Sequence, residues 1–240
     1  MAKTQRREVD LLGHTIDYSV RESSDATKPR IDVDIRGVTV VIPESEAIQA
    51  TKILKENAAW VVDKHKSYES HREKVPDRTF EAGEQFPFLG VDRELVIEPR
   101  QRNAMDEETI MLRQSAVEQS SVKRALENFY RREAREYLTG RADDYAEKMG
   151  VAYEKIELRN QRTRWGSCST SGTISLNWRI IMAPSEIVDY LVVHELAHLT
   201  EQNHGEEFWQ LVSEFVPEYQ QRADWLEQNS AKLIFSEDDL

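Results

Sequence analysis

Three of the chain's six histidines, His194, His198 and His204, fall within eleven residues of one another, with Glu195 among them. His194-Glu195-Leu196-Ala197-His198 is an H-E-x-x-H pattern inside an apolar stretch. On a helix four residues make just over one turn, so the two imidazoles share a face and can hold one ion. Neutral imidazoles suit a borderline ion such as zinc, and a catalytic site needs a third protein ligand and an open position for water. His204 comes after the expected helix end, in a turn made by Asn203 and Gly205, and can fold back to complete the triad. Glu195 stands about 100° round the helix, where its carboxylate can reach a metal-bound water without ligating the ion. The chemistry this predicts is metal-assisted hydrolysis. The ion acidifies its water and polarises the electrophile, while Glu195 takes the proton and passes it to the leaving group.

The elements that must position these groups follow from the flanking pattern. Pro184 opens a helix that runs to about Thr200, with Glu186 in its first turn. Ile187, Val188, Leu191, Val192, Val193, Leu196 and Leu199 make it apolar almost all round, which predicts a buried helix and rigidly held ligands. Such a helix has little reason to carry two histidines and a glutamate unless they are paired or metallated. A second helix carries Phe208, Trp209, Leu211, Val212 and Phe215; Pro217 interrupts it, and a last helix includes Tyr219, Trp225 and Leu226. Upstream, strands are expected at Tyr153–Leu158 and Thr173–Ile181, joined through Arg164-Trp165-Gly166-Ser167-Cys168-Ser169. Arg164 and Asn177 can orient substrate, support the ligands, or belong to a structural network joining loop to sheet. Cys168, the only cysteine, has no local histidine and reads as a small buried apolar residue. Trp165, Trp178, Phe208 and Trp209 read as core aromatics. His14, His65 and His71 have no partner pattern and read as surface or core histidines.

The earlier part of the chain is β-rich. Residues 9–20 and 31–42 alternate apolar and polar side chains, and a helix is expected over about 44–68 with Ser45 as its cap and Ile48 on its apolar face. Short strands return over Thr79–Pro99, with Phe86-Pro87-Phe88-Leu89-Gly90 as a tight corner. Val122, Leu126, Phe129, Ala134 and Leu138 then mark a long helical stripe, with Thr139-Gly140 as a break and Gly150 as a stop. No internal repeat is visible. The expected fold class is α+β, with a β-rich part over 1–105, a helical and metal-binding domain over 106–235, and a frayed acidic tail over 236–240.

Charge narrows the function classes. The net charge is −12, from 44 acids and 32 bases, and residues 181–240 hold 13 acids against 2 bases. Residues 121–180 hold 12 bases against 8 acids, a local basic shoulder. This balance disfavours a general duplex-DNA binder and attachment to a membrane through basic residues, while leaving room for an anionic substrate at the shoulder. No apolar run approaches a membrane span, and Met1–Arg7 has no apolar segment behind it to read as a signal peptide. One cysteine excludes an internal disulfide framework, and the expected compartment is the cytoplasm.

From about Tyr153 to Leu226 the chain closely resembles the YgjP-like metallopeptidase domain family, which is related to the SprT-like and WLM zincins. The resemblance is carried by Arg164-Trp-Gly-Ser-Cys-Ser169, Ile174-Ser-Leu-Asn-Trp-Arg179, Ala183-Pro-Ser-Glu186, Val192-Val-His-Glu-Leu-Ala-His-Leu199 and Asn203-His-Gly205 before Phe208-Trp209. Weaker similarity extends through Gly83-Glu84 and Phe86–Gly90. It implies zinc held by His194, His198 and His204, Glu195 as general base, and a minimal zincin-like core with a small sheet against the metal helix. It also implies an edge strand able to accept an extended substrate, with Ile174–Arg179 as the candidate. The histidine spacing matches the metzincin pattern, but Glu201 stands where those enzymes use glycine, so that clan is not assigned and Glu201 remains a rim or supporting residue. The expected activity is a zinc-dependent hydrolase acting on a peptide or protein. One alternative is hydrolysis of a nucleotide phosphoanhydride at the same site, with Arg162, Arg164 and Arg179 as nearby cations. Another is a DNA-associated SprT-like protease, and a last is a non-enzymatic metal-dependent scaffold.

Overall fold

The computed structural model describes residues 5–24, 26–34, 37–44, 49–162 and 164–239. The fold is α+β, and the chain divides into two compact units between Val75 and Pro76. In the first, β1 (Gln5–Leu11) and β2 (His14–Ser23) form a hairpin, as do β3 (Arg30–Asp34) and β4 (Gly37–Pro43). Parallel pairing of β2 with β4 joins them in the order β1-β2-β4-β3. The alternation along these strands puts Val9, Leu11, Ile16, Tyr18, Val38, Val40 and Ile42 into one core. That core packs on Leu54 of α1 (Ala50–Glu56) and Val61 of α2 (Ala58–Arg72). The single helix expected over 44–68 is therefore two. The break falls at Asn57, whose side-chain amide donates to the Ile53 carbonyl at 2.9 Å. Ser45 and Ile48 lie outside the described residues.

The second unit begins with the same connectivity. β5 (Gln85–Phe88) and β6 (Val91–Glu98) form a hairpin, β7 (Ala104–Met105) pairs antiparallel with β8 (Thr109–Arg113), and β6 runs parallel to β8. Phe86, Phe88, Leu95, Ile110 and Leu112 from this sheet share a core with the helices that follow. The grouping of residues 1–105 is thus corrected: sheet β5–β8 belongs with the metal-binding part, because its apolar face is buried there. After α3 (Gln114–Glu118), α4 runs unbroken over Val122–Met149, through Thr139-Gly140 where a break was expected. Its first turn is capped by Ser121, whose hydroxyl accepts the Arg124 N–H at 3.1 Å.

A three-stranded sheet comes next, in the order β10-β11-β9, from β9 (Lys155–Arg159), β10 (Gly166–Cys168) and β11 (Thr173–Asn177). The strand expected to reach Ile181 stops at Asn177, whose side chain accepts the Arg179 N–H at 3.2 Å. Trp178–Met182 then forms a 3₁₀ turn with all five residues buried. An alternating run that becomes buried on every side no longer demands a strand. Helices α5 (Ser185–Ala197), α6 (Glu206–Phe215) and α7 (Tyr219–Asn229) complete the unit.

The acidic end is docked over its described residues, contrary to the fraying expected for it. Phe235 enters an aromatic cluster with Phe86, Tyr130 and Trp178, and Arg78 donates to the carbonyls of Ile234 and Phe235 at 2.7 and 3.2 Å. Asp239 is 7% exposed and accepts from the Asn160 amide at 2.7 Å. The apolar Leu233-Ile234-Phe235 ahead of the acids supplies the anchor. Among the described residues no helix is long and apolar enough to cross a membrane.

Candidate metal centre

Helix α5 is fixed before it reaches the histidines. At its start Pro184 lies under the β5–β6 turn, where a Cβ on Gly90 would come within 2.9 Å of the Pro184 Cα. One turn further, Asp189 takes a two-pronged bond from Arg141 of α4 at 2.7 Å for each oxygen, and Tyr145 adds a third at 3.2 Å. Val188, Val192, Val193, Leu196 and Ala197 bury the rest. The helix ends at Ala197, and His198 keeps helical geometry as its cap.

His194, His198 and His204 converge, each offering a ring nitrogen, with these atoms all within 4.8 Å of one another. Ring centroids lie 5.1 Å apart for His194 and His198, 5.0 Å for His194 and His204, and 4.7 Å for His198 and His204. The Nε2 atoms of His194 and His204 face each other at 3.1 Å. His198 Nδ1 lies 3.0 Å from the Glu201 carbonyl, which directs Nε2 toward the other rings. Glu201 therefore contributes its main chain. Its φ is not positive, so the turn has no need of glycine there. Burial, with His198 and His204 nearby, depresses His194 to about 4, which keeps its ring neutral and able to donate a lone pair. Three converging imidazoles fit a borderline ion of the zinc type.

Glu195 is 4% exposed, and its Oε2 has no hydrogen-bond partner among the described residues. Burial raises this carboxyl to about 8, although Arg164 draws it back down. Directly over it runs β10: a Cβ on Gly166 would overlap Glu195 Oε1 and lie 2.7 Å from its Cγ. Only glycine lets the strand pass this close. The two elements bound a cleft of about 270 Å³, with His194, Glu195, His198 and His204 on one side and Gly166, Ser167 and Cys168 on the other. Cys168 is half-exposed in that wall, which corrects its reading as a buried apolar residue. Its thiol is pushed up by burial and by Glu195.

Other expected residues separate into distinct roles. Asn177 and Arg179 both donate to the Gln161 carbonyl, at 2.7 and 2.9 Å, and Arg179 packs over Trp165. They form the network that ties loop to sheet. Arg162 donates to the Asp238 carbonyl at 2.9 Å. Arg164 is exposed and makes no hydrogen bond or ion pair among the described residues. The wall of the cleft is β10, an edge strand, whereas β11, expected to line substrate, lies between β10 and β9. His14 is exposed and His65 lies 3.4 Å from Glu69. The side chain of His71 is outside the description.

Sequence reasoning left Gly166, Phe208 and Trp209 without a part at the site. Phe208, fully buried, touches all three imidazoles, at 5.0, 4.6 and 4.8 Å between centroids with His194, His198 and His204. Trp209 stacks on His204 at 5.7 Å and 28°. Their position on the helix that begins just after His204 was the available signal.

A search of curated proteins returns no match. Solved structures similar over part of the chain include two metallopeptidase zymogens. The metallopeptidase zymogen abylysin of Pyrococcus abyssi shares 21% identity over 40% of this chain and 99% of its own, with a TM-score of 0.34. The metallopeptidase zymogen jannalysin of Methanocaldococcus jannaschii shares 19% identity over 39% of this chain and 96% of its own, with a TM-score of 0.36. The family described as "YgjP-like, metallopeptidase domain" matches residues 27–229, most of the chain. The protein belongs to the YgjP-like metallopeptidase domain family.

Proposed function

We propose that the chain is a zinc-dependent peptidase of zincin type, with His194, His198 and His204 holding the ion and Glu195 carrying the proton. The observation that bears most weight is the passage of edge strand β10 over a buried carboxyl group, whose Oε2 has no partner among the described residues, beside three converging imidazoles. When bound, the ion supplies Lewis acidity, acidifying water and polarising the scissile carbonyl. Glu195 accepts the proton from the attacking water at its carboxylate and delivers it to the leaving amine. Its burial makes it more basic, the direction a proton carrier at neutral pH requires.

Substrate orientation is assigned to β10. Bonds from Asn177 N–H to the Trp165 carbonyl and from Ser169 N–H to the Thr173 carbonyl mark the bonded pairs with β11. In an antiparallel ladder such pairs alternate, so the main-chain groups of Gly166 and Cys168 point to the free edge. An extended peptide adds there as a further strand, lying across Glu195.

The phosphoanhydride alternative loses support, since Arg162 and Arg179 are engaged elsewhere and Arg164 is left as the candidate cation. The DNA-linked alternative is weakened as well. Lys123, Arg124, Arg131, Arg132, Arg141, Lys155 and Arg159 of the basic shoulder are ion-paired with Glu127, Glu133, Asp144, Glu157, Asp189 and Asp238. The test is an activity screen of zinc-loaded protein on a peptide library, beside Glu195→Gln with its zinc content measured. Peptide turnover lost in the variant with zinc retained supports the proposal. Turnover of nucleoside triphosphates alone, or cleavage only with DNA present, replaces it with the corresponding alternative.

A further inference from the structure

The three imidazoles are not held in the same way. His194 stands on α5, half-buried between Tyr190 and Phe208, and His198 is oriented by the Glu201 carbonyl. His204 is exposed, in the turn between α5 and α6. Its only hydrogen-bond partner among the described residues is His194 Nε2, a member of the same cluster, so no carbonyl or carboxylate sets its ring. A histidine ligand without such a partner is free to turn about its side-chain bonds unless packing stops it.

Packing is what the structure supplies. His204 lies on the indole of Trp209 at 5.7 Å and 28°, and Trp209 lies on Tyr219 at 4.9 Å and 14°. The three rings form a column from the turn to α7. Phe208 also meets His204 edge-on, at 4.8 Å and 75°. We propose that the His204–Trp209–Tyr219 column, in place of a hydrogen bond, sets the third metal ligand, making Trp209 and Tyr219 positioning residues that govern metal affinity. This rests on the reading of His204 as a ligand.

The column makes demands that simple core packing does not. Loss of an orienting partner typically weakens a metal site by about 10–100-fold. Trp209→Ala is expected to weaken Zn2+ binding by roughly tenfold in a chelator competition, while Trp209→Phe, which keeps a stacking face, stays near wild type. Tyr219→Leu is expected to give a smaller loss in the same direction. Leu211→Ala, which loosens the same helix against its core without touching a histidine, lowers the melting temperature and leaves zinc affinity unchanged. The chain has five tryptophans, so a second readout assigns the signal: the change in indole emission on Zn2+ titration should disappear in Trp209→Phe. His204→Ala separates the two levels of the argument. If it leaves zinc affinity intact, the ligand reading fails and the column with it. If it abolishes binding while Trp209→Ala binds zinc as tightly as wild type, or Leu211→Ala weakens binding as much as Trp209→Ala, only the column is overturned. Should Trp209→Ala not fold, Trp209→Leu and Tyr219→Leu carry the same comparison.

Discussion

Sheets β1–β4 and β5–β8 share strand order, pairing sense and even the turn of the first hairpin. Leu12-Gly13 joins β1 to β2 with φ of 54° and 81°, and Leu89-Gly90 joins β5 to β6 with 50° and 78°. Both are the left-handed pair that a two-residue hairpin requires, with glycine second and a strained leucine first. Their surroundings differ. Leu12 is 68% exposed, and a Cβ on Gly13 would meet nothing within 4 Å. Leu89 packs on the core and donates its N–H to the Ile181 carbonyl at 2.8 Å, while Gly90 lies against the start of the metal helix. The buried charged side chains among the described residues, Arg179, Glu195 and Asp239, all lie in the second unit. One topology thus carries an exposed turn in one place and in the other a turn that packs on the start of the histidine-bearing helix. The difference comes from what packs on it.

The comparison can be broken at several points. The largest effect is expected at the cleft between α5 and β10. Gly166→Ala must displace the Glu195 carboxylate, and a misplacement of that size should lower kcat by about 10²-fold, with zinc stoichiometry unchanged on metal analysis. Next come the two hairpin glycines. Alanine at either position carries about 1–2 kcal/mol of backbone strain. Gly90→Ala should exceed Gly13→Ala by roughly 1–3 kcal/mol in urea unfolding, since it also overpacks Pro184; equal values would show that the turns are equivalent after all.

A smaller effect concerns pH in the metal-free protein. Burial raises Glu195 from 4.5 to about 8, so its contribution to stability is present below pH 4.5 and is lost as pH rises through 8. His194 is depressed from 6.5 to about 4, so its contribution is present above pH 6.5 and is lost as pH falls through 4. Glu195→Gln should therefore raise the melting temperature of metal-free protein at pH 8 and do little at pH 4. A gain that does not depend on pH would remove the buried carboxylate as its cause. The smallest effect is expected at Leu12→Ser, within about 0.5 kcal/mol. Leu89→Ser, which uncovers core, should cost roughly 1 kcal/mol more.

Much of this was legible along the chain. The H-E-x-x-H helix, its proline opening, the apolar stripe of α4 with its Gly150 stop and the alternating strands are local patterns, with causes that lie within a few residues. The reading faltered where a local pattern was true but incomplete. Trp178 and Ile180 continue the alternation of Ile174 and Leu176, yet Asn177 bonds back to Arg179 and turns the chain. The acids of the tail suggest solvent, while Phe235 three residues before Asp238 decides its place. The basic surplus of 121–180 is reduced as a surface feature because Lys123 and Arg141 find partners in the distant Asp238 and Asp189.

What the sequence determined by itself is the candidate ligand set: which side chains stand one turn apart, that their helix is apolar almost all round, and that a third histidine follows within reach. Period and spacing specify these because backbone geometry repeats over short distances. Only the tertiary structure decided which strand lies over Glu195, that it must carry glycine there, and that the Trp209 indole meets the His204 ring. Those facts depend on contacts between segments far apart in the chain, and no local pattern encodes the distance between one element and another.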